Sequence, residues 1–182
     1  GIINVSGYAG SELARILHGH PEVEIASVPG RSAAGKRIPE VLPHLWKIDL
    51  PITKTIEEPI DLAFSALPSG ASAEVLAPLV DEGVKAVDIA ADFRLHDAGT
   101  FKQAYGVNHP APQLLAQSVY GLPELHRAGI KSAPLVANPG CYPATALLAL
   151  APAVREGLIA DDIVINEYMT AAAGSHSPRQ SG

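Results

Sequence analysis

The sequence predicts an α/β fold built on a doubly wound parallel sheet, and three observations predict it. Short apolar runs suited to buried strands alternate with helical patterns carrying one apolar face. The turns between them are short and punctuated by single Gly and Pro residues. The first strand–helix junction, Ser6-Gly7-Tyr8-Ala9-Gly10, is rich in glycine. With 47% hydrophobic and 18% charged residues among 182, the chain can bury a real core.

Taken in order, residues 1–5 read as a strand, and a helix follows from about Ser11 with Leu13, Ile16 and Leu17 on one face. His20-Pro21 ends that helix, because the residue before a proline disfavours the helical region. Residues 23–28 read as a second strand, broken by Pro29-Gly30. After an irregular Pro-rich stretch, residues 61–66 form a third strand that ends in the turn Ala66-Leu67-Pro68-Ser69-Gly70. A helix over 71–82 and a strand over 85–90 come next, with Asp92-Phe93-Arg94-Leu95 leaving the strand's C-terminal end. Residues 97–131 alternate short helical pieces with Pro-containing turns. Leu135-Val136-Ala137 is a further buried strand, a helix runs from about Pro143 to a stop at Gly157, and 163–172 is a last strand-like run. In a doubly wound sheet, ligands gather at the C-terminal ends of the strands.

Composition excludes several classes. A formal net charge of −6 argues against general nucleic-acid binding, which needs a basic footprint. No run reaches the ~18 apolar residues of a membrane span, and no basic-then-apolar leader suggests secretion. One cysteine rules out an internal disulfide and fits a reducing cytoplasm. The opening Gly1-Ile2-Ile3 reads as a strand interior, and residues 175–182 close on a polar stretch. Both suggest a piece of a longer enzyme.

Ser6, Gly7, Tyr8, Ala9 and Gly10 would let backbone approach a diphosphate at a helix N-terminus, although many such turns serve packing alone. An NAD site would place Asp or Glu ~20 residues on. Here the second strand is followed by Arg31-Ser32-Ala33-Ala34-Gly35-Lys36-Arg37, three cations with a serine and no acid. That suits the 2′-phosphate of NADP, against the plainer reading of a solvated basic loop. The lone Cys141 lies at an expected strand–turn–helix junction, a setting that favours a reactive thiolate. The alternative is a buried thiol acting as a small hydrophobe.

Four segments appear in one order: Ser6-Gly7-Tyr8-Ala9-Gly10-Ser11-Glu12-Leu13, Ala90-Ala91-Asp92-Phe93-Arg94-Leu95, Tyr120-Gly121-Leu122-Pro123-Glu124 and Asn138-Pro139-Gly140-Cys141-Tyr142-Pro143. Together they resemble the N-acetyl-gamma-glutamyl-phosphate reductases, NADP enzymes of arginine biosynthesis in the wider semialdehyde dehydrogenase group. The likeness runs from Gly1 to about Ile165 and covers roughly the first half of such an enzyme. It implies a Rossmann-like NADP domain over 1–140 and the start of an α+β catalytic domain over 141–182. It also implies Cys141 as nucleophile, Ser6 to Gly10, Arg31, Ser32 and the Ala66-Leu67-Pro68-Ser69-Gly70 turn as cofactor contacts, and Arg94 as a substrate-phosphate ligand. A small acyl phosphate is the implied substrate, no metal is implied, and homo-oligomers are usual.

The sequence departs from the family in places. Asn4 stands where the family opens its loop with glycine, and asparagine tolerates positive φ better than most residues. The family's catalytic base is a histidine in a Gly-His-Arg-His-like stretch further downstream. None of the seven histidines matches that stretch, His176 being nearest in order. The segment from Thr170 to Arg179 leans toward the sister reductase acting on carrier-bound aminoadipyl phosphate in lysine biosynthesis, whereas Tyr142-Pro143 after the cysteine leans away from it. A binding module without turnover is a further alternative. A tyrosine-based short-chain enzyme is disfavoured, because no Tyr-x-x-x-Lys spacing occurs.

Overall fold

Five strands, all parallel, form the sheet of the first of two units in a computed structural model that describes residues 1–159 and 162–166. They are β1 (Ile2–Ile3), β2 (Leu62–Ser65), β3 (Lys85–Asp88), β4 (Ser118–Tyr120) and β5 (Leu135–Ala137), in spatial order β1-β2-β3-β5-β4. The register sets Ile2 beside Phe64, Ala63 beside Ala86 and Val87 beside Val136. Helices α1 (Tyr8–His18), α2 (Ile38–Val41), α3 (Ser72–Asp81), α4 (Ala98–Tyr105), α5 (Pro112–Leu115) and α6 (Pro123–Ser132) belong to this unit, which spans Gly1–Gly140. The second unit, Cys141–Gly182, opens with α7 (Cys141–Arg155). Among the described residues no helix is long and apolar enough to cross a membrane.

Successive residues of a strand point to opposite faces, and β1 uses this to seed two cores. Ile2 packs with Val5, Ala14 of α1, Val28 and Ile52 on one face. Ile3 packs with Ala63, Leu76 of α3, Phe93 and Leu135 on the other. Helices on both faces of a parallel sheet make the fold Rossmann-like and doubly wound.

Two sequence expectations need correction. Residues 23–28 form no regular strand. They run extended beside β1, where the Ile2 and Asn4 N–H groups donate to Ser27 O at 2.9 Å and Pro29 O at 2.7 Å. Pro29 has no N–H to return, and β1 is only two residues long, so a full ladder cannot propagate. The strand expected over 163–172 lies largely outside the described residues, and its described part, 163–166, is irregular. Conversely, β4 arises inside 97–131, where only helical pieces and turns were expected. Helix α1 begins three residues early, because Gly7 is extended and serves as the N-cap.

Buried polar groups tie the strand ends together. The Asp92 carboxylate accepts from the N–H groups of Gly70 (2.7 Å), Ser72 (3.1 Å) and Ala73 (3.0 Å), and so caps α3, whose own N-cap, Ala71, offers no side-chain oxygen. Gly70 sits at φ +89°, a left-handed conformation that suits glycine. His109 accepts from Ala111 N–H through Nδ1, leaving Nε2–H to donate to Asp92 O at 3.0 Å. Burial holds the His109 pKa below its usual value, consistent with that neutral ring. At the end of β3, Asp88 Oδ1 lies 2.5 Å from Ser72 Oγ and accepts from Ala90 N–H, while Oδ2 has no partner. Ser72 Oγ also lies 2.7 Å from Ser65 Oγ.

Desolvation pushes the Asp88 pKa up to about 6, with the Ser72 hydrogen bond opposing. Because the folded pKa exceeds the unfolded one, the folded chain holds the extra proton between about pH 4 and 6. Asp88 therefore withdraws stability as pH rises through that window, by roughly 3 kcal/mol at most on the scale of 1.36 kcal/mol per pKa unit. Asp88→Asn should flatten this component. Urea titrations at pH 4.5 and 7 should give a smaller difference for the variant than for the parent, and equal differences would count against a titrating Asp88.

Candidate functional site

The doubly wound sheet changes direction at β1. The 23–29 segment lies on one side of it and β2 on the other, and such a switch point opens a crevice beyond the strand ends. Asn4 turns the chain there at φ +65°, the only non-glycine with positive φ among the described residues. Its side chain explains why asparagine can stand in this place. The Asn4 Nδ2 amide donates to Ala66 O at 2.8 Å and fastens the end of β1 to the end of β2.

The approach of α1 depends on Gly10. A Cβ there would sit 2.3 Å from Asn4 O and 2.8 Å from Val5 Cα, so any side chain would lift the helix off the strand. Gly7 is nearly as confined, its Cβ position lying 2.9 Å from Asn4 Nδ2. Gly7 has no side chain to cap α1, and the Tyr8 and Ala9 N–H groups at the first turn face no capping acceptor. Tyr8 is 87% exposed and contributes nothing to the core. A helix N-terminus with open donors and no acidic residue in its first turn is chemically suited to an anion such as a diphosphate. Ser6 lies beside the loop after the 23–28 segment, 3.3 Å from where a Gly30 side chain would be.

From Asn4 the crevice continues as a cleft of about 500 Å³. Its lining is mostly apolar, with Ile3, Ile56, Leu67, Val75, Pro78 and Leu79, and includes the polar residues Arg31, Ser32, Lys54 and Thr55. A largely apolar cleft lined by a few polar and basic groups suits a flat heterocycle bearing a charged substituent. The basic segment read from sequence is thereby divided. Arg31 and Ser32 line the cleft. Arg37 instead pairs with the Asp49 carboxylate, donates to Asp49 O at 2.6 Å, and caps α2 with Glu40. The ion pair holds the Asp49 carboxyl below its usual range. Lys54, which lines the cleft, was not anticipated from sequence. It becomes a neighbour of Arg31 only through pairing of Pro29 with Thr53, and no local pattern signals that.

The Ala66–Gly70 turn is also divided. Ala66 anchors Asn4 and Leu67 lines the cleft. Ser69 Oγ instead accepts from Ala91 N–H, and Gly70 N–H donates to Asp92, so the rest of the turn belongs to the end of β3. Arg94 is part-buried. Its Nε donates to Asn138 O at 2.9 Å and its Nη2 to Ile89 O at 3.0 Å, which links the ends of β3 and β5. Nη1 makes no hydrogen bond among the described residues.

Cys141 is exposed and is the first residue of α7, with Asn138-Pro139-Gly140 between it and β5. It thus stands at a strand–turn–helix junction. Thr145 Oγ1 donates to Cys141 O at 2.9 Å within the first turn. Gly157, at φ +66°, lies just past the end of α7. His176 and the segment from Thr170 to Arg179 lie outside the described residues. Among the described residues no cluster of side chains is suited to a metal ion.

Comparison with known proteins adds to this geometry. Residues 1–133 match the family described as semialdehyde dehydrogenase, NAD binding domain. An N-acetyl-gamma-glutamyl-phosphate reductase of Dehalococcoides mccartyi is 50% identical over 98% of this chain and 52% of its own length. A protein of Thermomicrobium roseum named as a LysW-L-2-aminoadipate 6-phosphate reductase is 43% identical over 100% of this chain and 54% of its own. The chain therefore spans about half the length of the curated relatives it matches. In fold it is similar to an aspartate semialdehyde dehydrogenase solved with NADP from Candida albicans, with a TM-score of 0.58 and 17% identity, covering 87% of this chain and 47% of the other. A Vibrio cholerae aspartate semialdehyde dehydrogenase II is similar with a TM-score of 0.54 and 16% identity over 85% and 45%.

The glycine cradle can be checked directly. Gly10→Ala should destabilise the chain by about 1–3 kcal/mol, the usual cost of forcing atoms into a filled site. Urea unfolding measures this, and a loss of less than ~0.5 kcal/mol would mean that α1 does not rest on Asn4 and Val5 as described.

Proposed function

The chain belongs to the semialdehyde dehydrogenase family through its NAD-binding domain, and on that premise we propose that it is the cofactor-binding and nucleophile-bearing part of an N-acetyl-gamma-glutamyl-phosphate reductase that uses NADPH. The observation behind this reading is the lone cysteine at the first residue of a helix that directly follows a parallel strand of a dinucleotide fold. The degree of identity to relatives named for that activity supports it. In this reading residues 1–140 hold the dinucleotide and 141–182 begin the substrate part. The protein then acts on a small acyl phosphate and needs neither a metal, nucleic acid nor membrane.

The residues of the crevice suit the cofactor. The first-turn N–H groups at Tyr8 and Ala9 would hold the diphosphate, the apolar cleft the adenine, and Arg31 with Ser32 the 2′-phosphate. When bound, the reduced dinucleotide supplies hydride to an acyl carbon. Cys141 prepares that carbon. Its thiolate forms a C–S bond to the acyl group while the C–O bond to phosphate breaks, and phosphate departs with the electron pair, leaving a thioester. Backbone N–H groups in the first turn of α7 would stabilise the oxyanion. The Nη1 edge of Arg94, left over from its two carbonyl bonds, is assigned to the departing phosphate. After reduction the C–S bond breaks, the aldehyde leaves and the thiolate is restored. The proton donor and acceptor for these steps are assigned to the remainder of the protein.

A second reading has an observation of its own. Relatives named for LysW-linked aminoadipate chemistry are 43% and 40% identical to this chain, so the acyl group could be carrier-bound aminoadipate. The test uses the protein at the full length of its relatives, run in reverse with phosphate and NADP. N-acetylglutamate semialdehyde should be turned over. Activity with a carrier-linked aminoadipate semialdehyde alone would transfer the protein to the second reading. Cys141→Ser should reduce turnover at least ~10³-fold, as expected for loss of a nucleophile, with NADPH binding retained. Turnover that survives the substitution would remove Cys141 from the mechanism.

A further inference from the structure

We propose that Lys54 is a second determinant of cofactor choice, holding the adenosine 2′-phosphate opposite Arg31. The inference rests on the reading of the crevice as an NADP site and adds to it a residue from a different part of the chain. The sequence shows three cations after the 23–28 segment, Arg31, Lys36 and Arg37, and by itself does not distinguish among them as phosphate ligands. The structure removes two of them. Arg37 is committed to Asp49 by an ion pair and a second bond to the Asp49 carbonyl. Only Arg31, of the three, lines the cleft. Lys54 lines the same cleft, together with Ser32 and Thr55.

The backbone fixes this juxtaposition. Pro29 and Thr53 pair in parallel register, and Gly30 N–H donates to Thr53 O at 3.0 Å. The two segments therefore leave the pair in the same direction, Gly30 and Arg31 on one path and Lys54 on the other. Ile52 is buried beneath them, and a side chain at Gly30 would come within 3.0 Å of it, so the two paths are closely seated. Thr53 Oγ1 donates to Thr55 O at 2.6 Å and tightens the turn that presents Lys54. Neither Arg31 nor Lys54 makes an ion pair among the described residues. A phosphate monoester carries close to two charges near neutral pH. A planar guanidinium and a compact ammonium can share its oxygens, the first as a fork and the second as a point charge. Ser32 and Thr55 add hydroxyl donors to the same lining.

The experiment measures binding of 2′,5′-ADP and 5′-ADP, with NADPH and NADH in parallel, to this chain and to the full-length protein. Lys54→Ala should weaken 2′,5′-ADP and NADPH about tenfold, the usual effect of losing one charged hydrogen bond. It should leave 5′-ADP and NADH within about twofold, the margin allowed for a charge lost outside the contact. Lys54→Arg should recover most of the affinity, and Lys47→Ala, which removes an equal charge from outside the cleft lining, should change nothing. Equal loss for all four ligands, or an unchanged preference in Lys54→Ala, would overturn the assignment. Failure of the underlying reading looks different, because the parent protein itself would then bind 2′,5′-ADP and 5′-ADP alike.

Discussion

The contact on which the rest of the site depends is the seat of α1 on the end of β1. Gly10 brings the first turn of the helix against Asn4 O and Val5 Cα at a distance no side chain could share. That seat fixes the start of the helix against the end of β1. Asn4 completes the joint from the other side. A left-handed φ costs a non-glycine residue on the order of 1 kcal/mol, and the amide bond to Ala66 O offsets it while fixing β1 against β2. Glycine could adopt this φ more easily but would leave the Ala66 carbonyl without that donor. One asparagine therefore does two things here, turning the chain and joining two strand ends. The cleft lies along that joint, with Asn4 and Leu67 in its wall.

A second layer of polar contacts holds the far strand ends. Asp92 caps α3 and secures Gly70, His109 secures Asp92, and Arg94 joins Ile89 to Asn138. Most of these bonds end on backbone atoms, so they fix loop paths more than side-chain identities. Asp88 is the exception. It is fully buried with one oxygen unpartnered, and burying a charge without full pairing is costly. The same residue sends its carbonyl to Asn138 N–H at 2.8 Å. Asn138 is thus held by both Asp88 and Arg94, three residues before the thiol.

Legibility in the sequence followed the range of the interaction. The β5–turn–α7 junction at Cys141 could be read because apolar run, turn and helix signals all lie within about twenty residues. Strands β2 and β3 were legible for the same reason, each being an apolar run closed by Gly, Pro or Asp. The 23–28 segment carried a strand pattern, yet pairing needs donors on both sides, and Pro29 with a short β1 does not supply them. Strand β4 has three residues, too few for a period to emerge between the turns around it. Arg37 looked like a cofactor cation until Asp49, twelve residues on, claimed it. Lys54 looked like loop until the Pro29–Thr53 pairing brought it to Arg31.

These last two reassignments bear on how, in the proposed NADP site, an acidic chain would select a more negative ligand. The formal net charge is −6, so the long-range field of the chain does not favour a phosphorylated dinucleotide over its parent. Screening confines surface electrostatics to about 8 Å at physiological ionic strength. Selection must then occur within contact distance, by groups already aimed at one place. Cations scattered over a basic loop would contribute little, since exposed charges interact weakly through water. Two cations held on adjacent backbone paths, over a buried isoleucine and beside an apolar slot, act where the ligand displaces solvent and the effective dielectric falls. The cation lost to Asp49 and the one gained from the crossing segment leave the number near the phosphate modest. In the proposed NADP site their fixed placement, and not the basic character of the loop, would set the preference.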